Sequence, residues 1–277
     1  MKKKASRIDY SKSMLPRSRR EQFLDCFKMN YLTLLKCGLM LLLFFAPLLA
    51  FSVFMDFYYV SLMSHAAEEV KQTEMIFLLI YSGGLIVLSI LAIVGLSGII
   101  RVLRNLIWGE GIFFKDDFVD GIKENAPKNI VFYLIFGVFF ELAFFVFCIF
   151  RENIIALFGI ILFALVFLPI YFWIMLLNNT YNSKWGGLLR NGLFFFVKSI
   201  GWSMLGILVF LLPSALELLL FASFGFVWLK YVILVLIIVF VYPIIVLITI
   251  LYSTAKFDEY INKDYYPDYF LRGLNNQ

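Results

Sequence analysis

The sequence predicts an all-α, polytopic membrane protein with six transmembrane helices, arranged as three hairpins and flanked by cytosolic amphipathic helices. Of its 277 residues, 62% are hydrophobic and only 16% are charged, whereas a soluble domain averages about 45–50% apolar and about 25% charged residues. The chain also contains six continuous apolar runs, each of roughly 20 residues, the length that crosses a bilayer as a helix. Their continuity excludes a transmembrane β-barrel, whose strands alternate apolar and polar residues.

The apolar runs set the limits of the predicted spans and of the domains. The spans are Leu34–Met55, Met75–Ile100, Ile130–Phe150, Ile154–Leu177, Ile200–Phe221 and Leu229–Leu251. Residues 1–20 are predicted to be a basic cytosolic tail without fixed structure, because they hold too few apolar residues to fold alone. Residues 21–256 form the predicted six-helix membrane domain, and residues 257–277 a cytosolic C-terminal tail.

The positive charges predict the orientation. The termini and the loops on their side carry 21 lysines and arginines, and the other side carries three, namely Lys71, Arg151 and Lys230. Because positive loops stay on the cytosolic side, we expect a multi-pass protein of the cytoplasmic (inner) membrane with both termini in the cytosol. Topology thus explains the net charge of +5 without nucleic acid as a partner. The predicted partners are the lipid bilayer and other membrane protein subunits.

Small residues mark one face of the second span. They recur at helical spacing, and small side chains allow helix backbones to approach closely within lipid. The predicted helix-packing residues are Gly84, Ala92, Gly95 and Gly98.

The longest polar interruption, Arg101–Asn129, is predicted to be a cytosolic loop that contains a short interfacial helix, Asp116–Asn125. Two nearby glycines predict a turn before it, and two aspartates suit a helix start. Pro127 is expected to end this helix. Two other amphipathic segments, Glu21–Tyr31 and Leu188–Lys198, precede outward-going spans in the same way. The candidate partner-binding surfaces are these two segments and Lys115–Asn125.

The run RNLIWGEGIFFKDDFVDGIKEN within this loop resembles the YesL-like family of bacterial integral membrane proteins. The resemblance is carried by Gly109, Glu110, Asp117, Phe118, Gly121, Lys123 and Asn125. It implies an accessory or assembly role in carbohydrate uptake, beside a carbohydrate ABC transporter. The predicted partner-binding residues are Gly109, Glu110, Asp117, Phe118, Ile122, Lys123 and Asn125.

Glu141 is the one acidic residue inside the third span. It lies about 11 residues from the start, or roughly 16 Å at a rise of 1.5 Å per residue. Ionisable side chains at that depth are costly and mark functional sites by default. Two interpretations stay open: a substrate or proton site of a small permease or channel, and a hydrogen-bonded glutamate that fixes helix packing.

The sequence offers no set of residues for catalysis. It contains no supported serine–histidine–acid combination and no glycine-rich phosphate loop. Its cysteines, Cys26, Cys37 and Cys148, fit no zinc-binding pattern. We therefore expect a non-enzymatic protein with no metal and no cofactor.

Overall fold

The computed structural model describes residues 15–62, 67–150, 154–181, 183–206 and 227–275. Within these ranges the chain is helical almost throughout and has no β-strand. Most of the N-terminal tail and most of the predicted fifth span lie outside the described residues.

Six helices precede residue 199, and a further helical stretch covers residues 200–206. In order they are α1 (Arg19–Met29), α2 (Tyr31–Leu62), α3 (Ala67–Ile107), α4 (Phe114–Ile149), α5 (Ile154–Thr180) and α6 (Trp185–Lys198). The last part of the chain holds α7 (Val227–Leu236) and α8 (Tyr242–Phe257), joined by a π-helical turn, Ile237–Val241. After α8 come a second π-helical turn (Asp258–Asn262), a short helical turn (Lys263–Tyr265) and a 3-10 turn (Pro267–Tyr269).

Among the residues that the structure describes, five helical stretches are long and apolar enough to cross a membrane. They are Tyr31–Tyr59, Thr73–Ile107, Phe114–Ile149, Phe158–Thr180 and Leu229–Tyr265. They cover the first four predicted spans and the sixth. The all-helical class is therefore confirmed, and the long apolar helices agree with a membrane protein.

The predicted loop at Arg101–Asn129 is largely helix, and two details of the prediction are wrong. Helix α3 continues to Ile107, and α4 begins at Phe114, so the segment Asp116–Asn125 forms the first turns of α4 instead of a separate interfacial helix. Pro127 lies inside α4 and does not end it. Asn178 of α5 donates hydrogen bonds to the Asn125 carbonyl and to Asn129 Oδ1, on either side of the proline. Helix α5 therefore contacts α4 at this position, and neighbouring helices can hold a helix through such a break.

The predicted helix-packing glycines of α3 lie against bulky side chains of two neighbours. A methyl group added at Gly84 would lie 2.3 Å from Phe51, and one at Gly95 would lie 2.7 Å from Phe44, both residues of α2. At Gly98 it would lie 2.6 Å from the Phe118 ring of α4. Ala92, on the same helix, is 5% exposed. Helix α3 therefore packs between α2 and α4 through its small residues.

The most deeply buried part of the bundle lies where the ends of α3 and α5 meet α6 and α8. Ile99, Ile174 and Leu188 have no exposed surface there. Aromatic rings fill the adjacent space, with Trp173 stacked on Phe195 at 5.0 Å between centroids. This end of the bundle also carries most of the buried polar side chains described below.

Candidate functional sites: a terminal clasp, an asparagine network and Glu141

The C-terminal segment folds back onto α1 through a buried carboxylate. Arg19 Nη2 donates a hydrogen bond to Asp258 Oδ2 at 2.5 Å, and the two oppositely charged side chains form an ion pair. Asn262 Nδ2 and the Leu271 backbone N–H donate to Asp258 Oδ1 at 2.7 and 3.2 Å. Asp258 is only 5% exposed, so these bonds satisfy a charge that water does not reach.

Gln22 ties the same segment to the end of α3. Its Nε2 donates to the carbonyl oxygens of Ile107 and Gly273, at 2.5 and 3.0 Å. Gly273 has φ +80°, and a methyl group there would lie 2.0 Å from the Ile107 oxygen. Only glycine permits both this backbone conformation and this approach. A single glutamine thus joins three segments that are distant in sequence.

The indole of Trp108 lies between two guanidinium groups. The Cζ atoms of Arg104 and Arg272 are 4.6 and 4.5 Å from the ring centroid, a cation–π distance. Arg272 also pairs with Glu110 at 2.7 Å. We call the joined residues the terminal clasp: Arg19, Gln22, Trp108, Glu110, Asp258, Asn262, Arg272 and Gly273.

Burial governs the ionisation of groups in and beside the terminal clasp. It lowers the pKa of Arg19, while the charge of Asp258 acts in the opposite direction. Burial, and then the charge of Asp258, raises the pKa of Tyr181, whose hydroxyl donates to Asn262 Oδ1 at 2.5 Å. Burial, and then Asp25, raises the pKa of the Cys26 thiol to about 12. These shifts keep the phenol and the thiol neutral at ordinary pH and suit a structural role.

A second polar cluster joins α3, α4 and α5. Asn129 Nδ2 donates to Ser97 Oγ at 2.8 Å. Asn178 Nδ2 donates to Asn129 Oδ1 at 2.9 Å and to the Asn125 carbonyl at 3.0 Å. We call these four buried residues the asparagine network. Sequence reasoning missed it, because Asn129 and Asn178 stand at the ends of predicted spans, where polar residues are ordinary.

Glu141 lies on α4 and faces α3. Ser82 Oγ donates to its Oε1 at 2.8 Å. Its Oε2 is buried and has no hydrogen-bond partner among the described residues. The carboxyl group therefore makes one bond between the two helices, the arrangement expected of a packing residue, and keeps one oxygen unused.

A cavity of about 350 Å³ lies between α2, α3, α4, α5, α8 and residues 202–206. Its walls are mainly apolar and include Ile93, Leu168 and Phe172, together with the predicted packing residue Ala92. Glu141 is not one of its lining residues.

Most of the predicted partner-binding residues make contacts inside the bundle. Asp117 and Asn125 are buried; Asp117 accepts the Phe113 N–H at 3.0 Å at the start of α4. Phe118 packs on Gly98, Gly109 has φ +69° in the turn after α3, and Glu110 belongs to the terminal clasp. The side chains that reach the surface are those of Ile122, which is half-buried, and Lys123, which is exposed.

The described residues contain no group of three or more histidine, cysteine or acidic side chains that could hold a metal ion. Comparison of the chain with known protein families, with curated proteins and with solved structures found no match.

Proposed function

We propose that the protein is a non-enzymatic accessory or assembly subunit of a carbohydrate uptake transporter. In this proposal it lies in the cytoplasmic membrane with six spans in three hairpins, the span Ile200–Phe221 among them, and with both termini in the cytosol. The distribution of positive charge supports the orientation. The resemblance of the stretch around Gly109–Asn125 to the YesL-like family supports the connection with a transporter.

The separation of Glu141 from the cavity supports an accessory role over a permease. A sugar-binding pocket needs polar groups directed at the ligand. In the cavity, Thr249 and Ser253 donate their hydroxyl hydrogens to carbonyls of their own helix, at 2.7 and 2.9 Å. Glu141, the one acidic residue in those predicted spans that the structure describes, bonds Ser82 and does not line this space. The described cavity is therefore poorly suited to a polar solute.

The proposed partner surface combines the exposed start of α4 with the open faces of α1 and α6. Lys123 is exposed on α4, beside the half-buried Ile122. Helix α1 leaves Phe27 43% exposed, and α6 leaves Val197 67% exposed. Exposed apolar groups beside a positive charge suit contact with another membrane subunit at the bilayer surface.

Co-purification tests the accessory role. The protein and a carbohydrate ABC transporter are co-expressed and purified in mild detergent, and the bound transporter is quantified. We expect Lys123→Glu to reduce the transporter recovered, because it reverses a charge on the proposed surface. Lys263→Glu, the same change at an exposed position of the C-terminal segment, should leave recovery unchanged. Recovery of the unaltered protein without any transporter would contradict the proposal.

The unused Oε2 of Glu141 favours one alternative, a small permease or channel in which Glu141 is a substrate or proton site. Purified protein in liposomes distinguishes the two functions. Uptake of a sugar or of protons that is lost in Glu141→Gln would replace the accessory role with transport. Absence of flux with both forms would remove the alternative.

A further inference from the structure

We propose that the cavity between α2, α3, α5 and α8 binds an acyl chain of a bilayer phospholipid. The cavity measures about 350 Å³, and it lies among helices that are long and apolar enough to cross a membrane. This site is independent of the accessory role proposed above, because it faces hydrocarbon and needs no protein partner.

The walls of the cavity select hydrocarbon over water or a polar solute. Phe45, Ile93 and Leu176 supply apolar surface from three different helices. The lining hydroxyls of Ser203, Thr249 and Ser253 are already bonded; Ser203 Oγ donates to the Ser199 carbonyl and accepts the Trp173 Nε1–H, both at 2.8 Å. A buried water needs two to four polar partners, and these walls provide few. An apolar occupant, in contrast, restores the dispersion contacts that an empty space forfeits.

Two residues that line the cavity also have exposed surface or open space beside them. Leu168 lines the cavity and is 43% exposed. Gly206 also lines it, and a methyl group added there would meet no atom within 4 Å. We place the entry for a chain beside these two residues, because they combine exposed apolar surface with unfilled space. Because phospholipid chains are the hydrocarbon that surrounds such helices, we assign the site to a phospholipid chain.

Three buried lining residues allow a direct test. Trp173, Met175 and Leu176 are 4%, 1% and 3% exposed, so a chain that stays outside the bundle does not reach them. The protein is reconstituted in bilayers containing a phospholipid with a diazirine in its acyl chain, irradiated, and mapped by peptide mass spectrometry. We expect label on these three residues as well as on Leu162, which is 65% exposed and reports contact with bulk lipid.

Two glycines provide matched variants. Gly206→Leu places a side chain in the cavity and should remove the label from Trp173, Met175 and Leu176. Gly201→Leu adds the same side chain on the same helical stretch, at an exposed position with no atom within 4 Å and outside the cavity lining; it should leave the label unchanged. If Gly206→Leu fails to fold, Ala92→Leu obstructs the cavity from α3 and should have the same effect.

Three labelling results would each overturn the proposal or its assignment to a phospholipid. Label confined to Leu162 in the unaltered protein would overturn it, and would mean that another part of the chain or a second copy fills the space. Equal labelling of the buried residues in the Gly206→Leu and Gly201→Leu proteins would also overturn it. A free fatty acid with the same diazirine forms the second arm. Label from the fatty acid but not from the phospholipid would overturn the assignment to a phospholipid.

Discussion

The terminal clasp and the site of Glu141 are both polar regions between helices, but their acidic groups differ in how many hydrogen bonds they accept. Asp258 accepts three hydrogen bonds, one of them from the oppositely charged Arg19. Glu141 accepts one bond, from Ser82, and its Oε2 has no partner among the described residues. Removing one partner of a buried ion pair is strongly destabilising. The difference indicates that the clasp determines how distant segments assemble, whereas Glu141 adds a single contact between two adjacent helices.

The difference between the two sites predicts that the largest loss of stability follows substitution of Asp258. Asp258→Ala leaves the partly buried Arg19 without its countercharge and removes the acceptor for two other donors, so the free energy of unfolding should fall by about 3 kcal/mol. Unfolding in mixed detergent micelles measures this change. Asp264→Ala, at an exposed position of the same C-terminal segment, is the control and should have little effect. Equal losses in the two variants would show that the clasp is not a stabilising unit.

Two glycines of α3 extend the comparison to helix packing. A methyl group at Gly98 would lie 2.6 Å from the Phe118 ring, whereas at Gly83 the nearest atom would be Glu141 Oε1, at 3.8 Å. Gly98→Ala should therefore lower stability by about 1–3 kcal/mol through overpacking. Gly83→Ala should leave stability unchanged or slightly raised, because alanine favours a helix. The same unfolding measurement applies, and a larger loss at Gly83 would contradict the packing seen here.

The asparagine network and Glu141 allow a third contrast within α4. Asn129→Ala removes the donor to Ser97 and the acceptor for Asn178, so stability should fall by about 1–3 kcal/mol. Glu141→Gln keeps an oxygen that can accept the Ser82 hydrogen, and we expect a smaller change. A greater loss for Glu141→Gln than for Asn129→Ala would mean that the carboxylate itself stabilises the bundle.

The last expected effect concerns the pH response of Cys26, in α1. The pKa of its thiol is about 12 in the folded protein, compared with about 8.5 for an unfolded thiol. The folded state favours the protonated thiol. The contribution of Cys26 to stability is therefore complete below about pH 8.5 and is lost as the pH rises toward 12. Alkylation by iodoacetamide at pH 9, followed by peptide mass spectrometry, should be much slower for the folded than for the denatured protein. Equal rates would contradict the burial of Cys26.

Helix lengths illustrate the limit of local patterns. The spans predicted at Leu34–Met55 and Met75–Ile100 correspond to helices, but α2 and α3 both extend well beyond them. At Pro127 the local rule predicted an end, but the helix continues, and α5 makes hydrogen bonds to α4 on both sides of the proline. Local rules identified the five long apolar helices of the described residues and misplaced several of their boundaries.

The sequence by itself determined the all-helical class and the apolar stretches that suit a membrane, because these depend on composition within short windows. It also singled out Glu141, since a charge in an apolar run is visible without any structure. Only the tertiary structure decided that Asp258 meets Arg19 across 239 positions of the chain, and that Asn129 meets Asn178. A hydrogen bond depends on the distance between two groups in space. No local window of the sequence contains that distance.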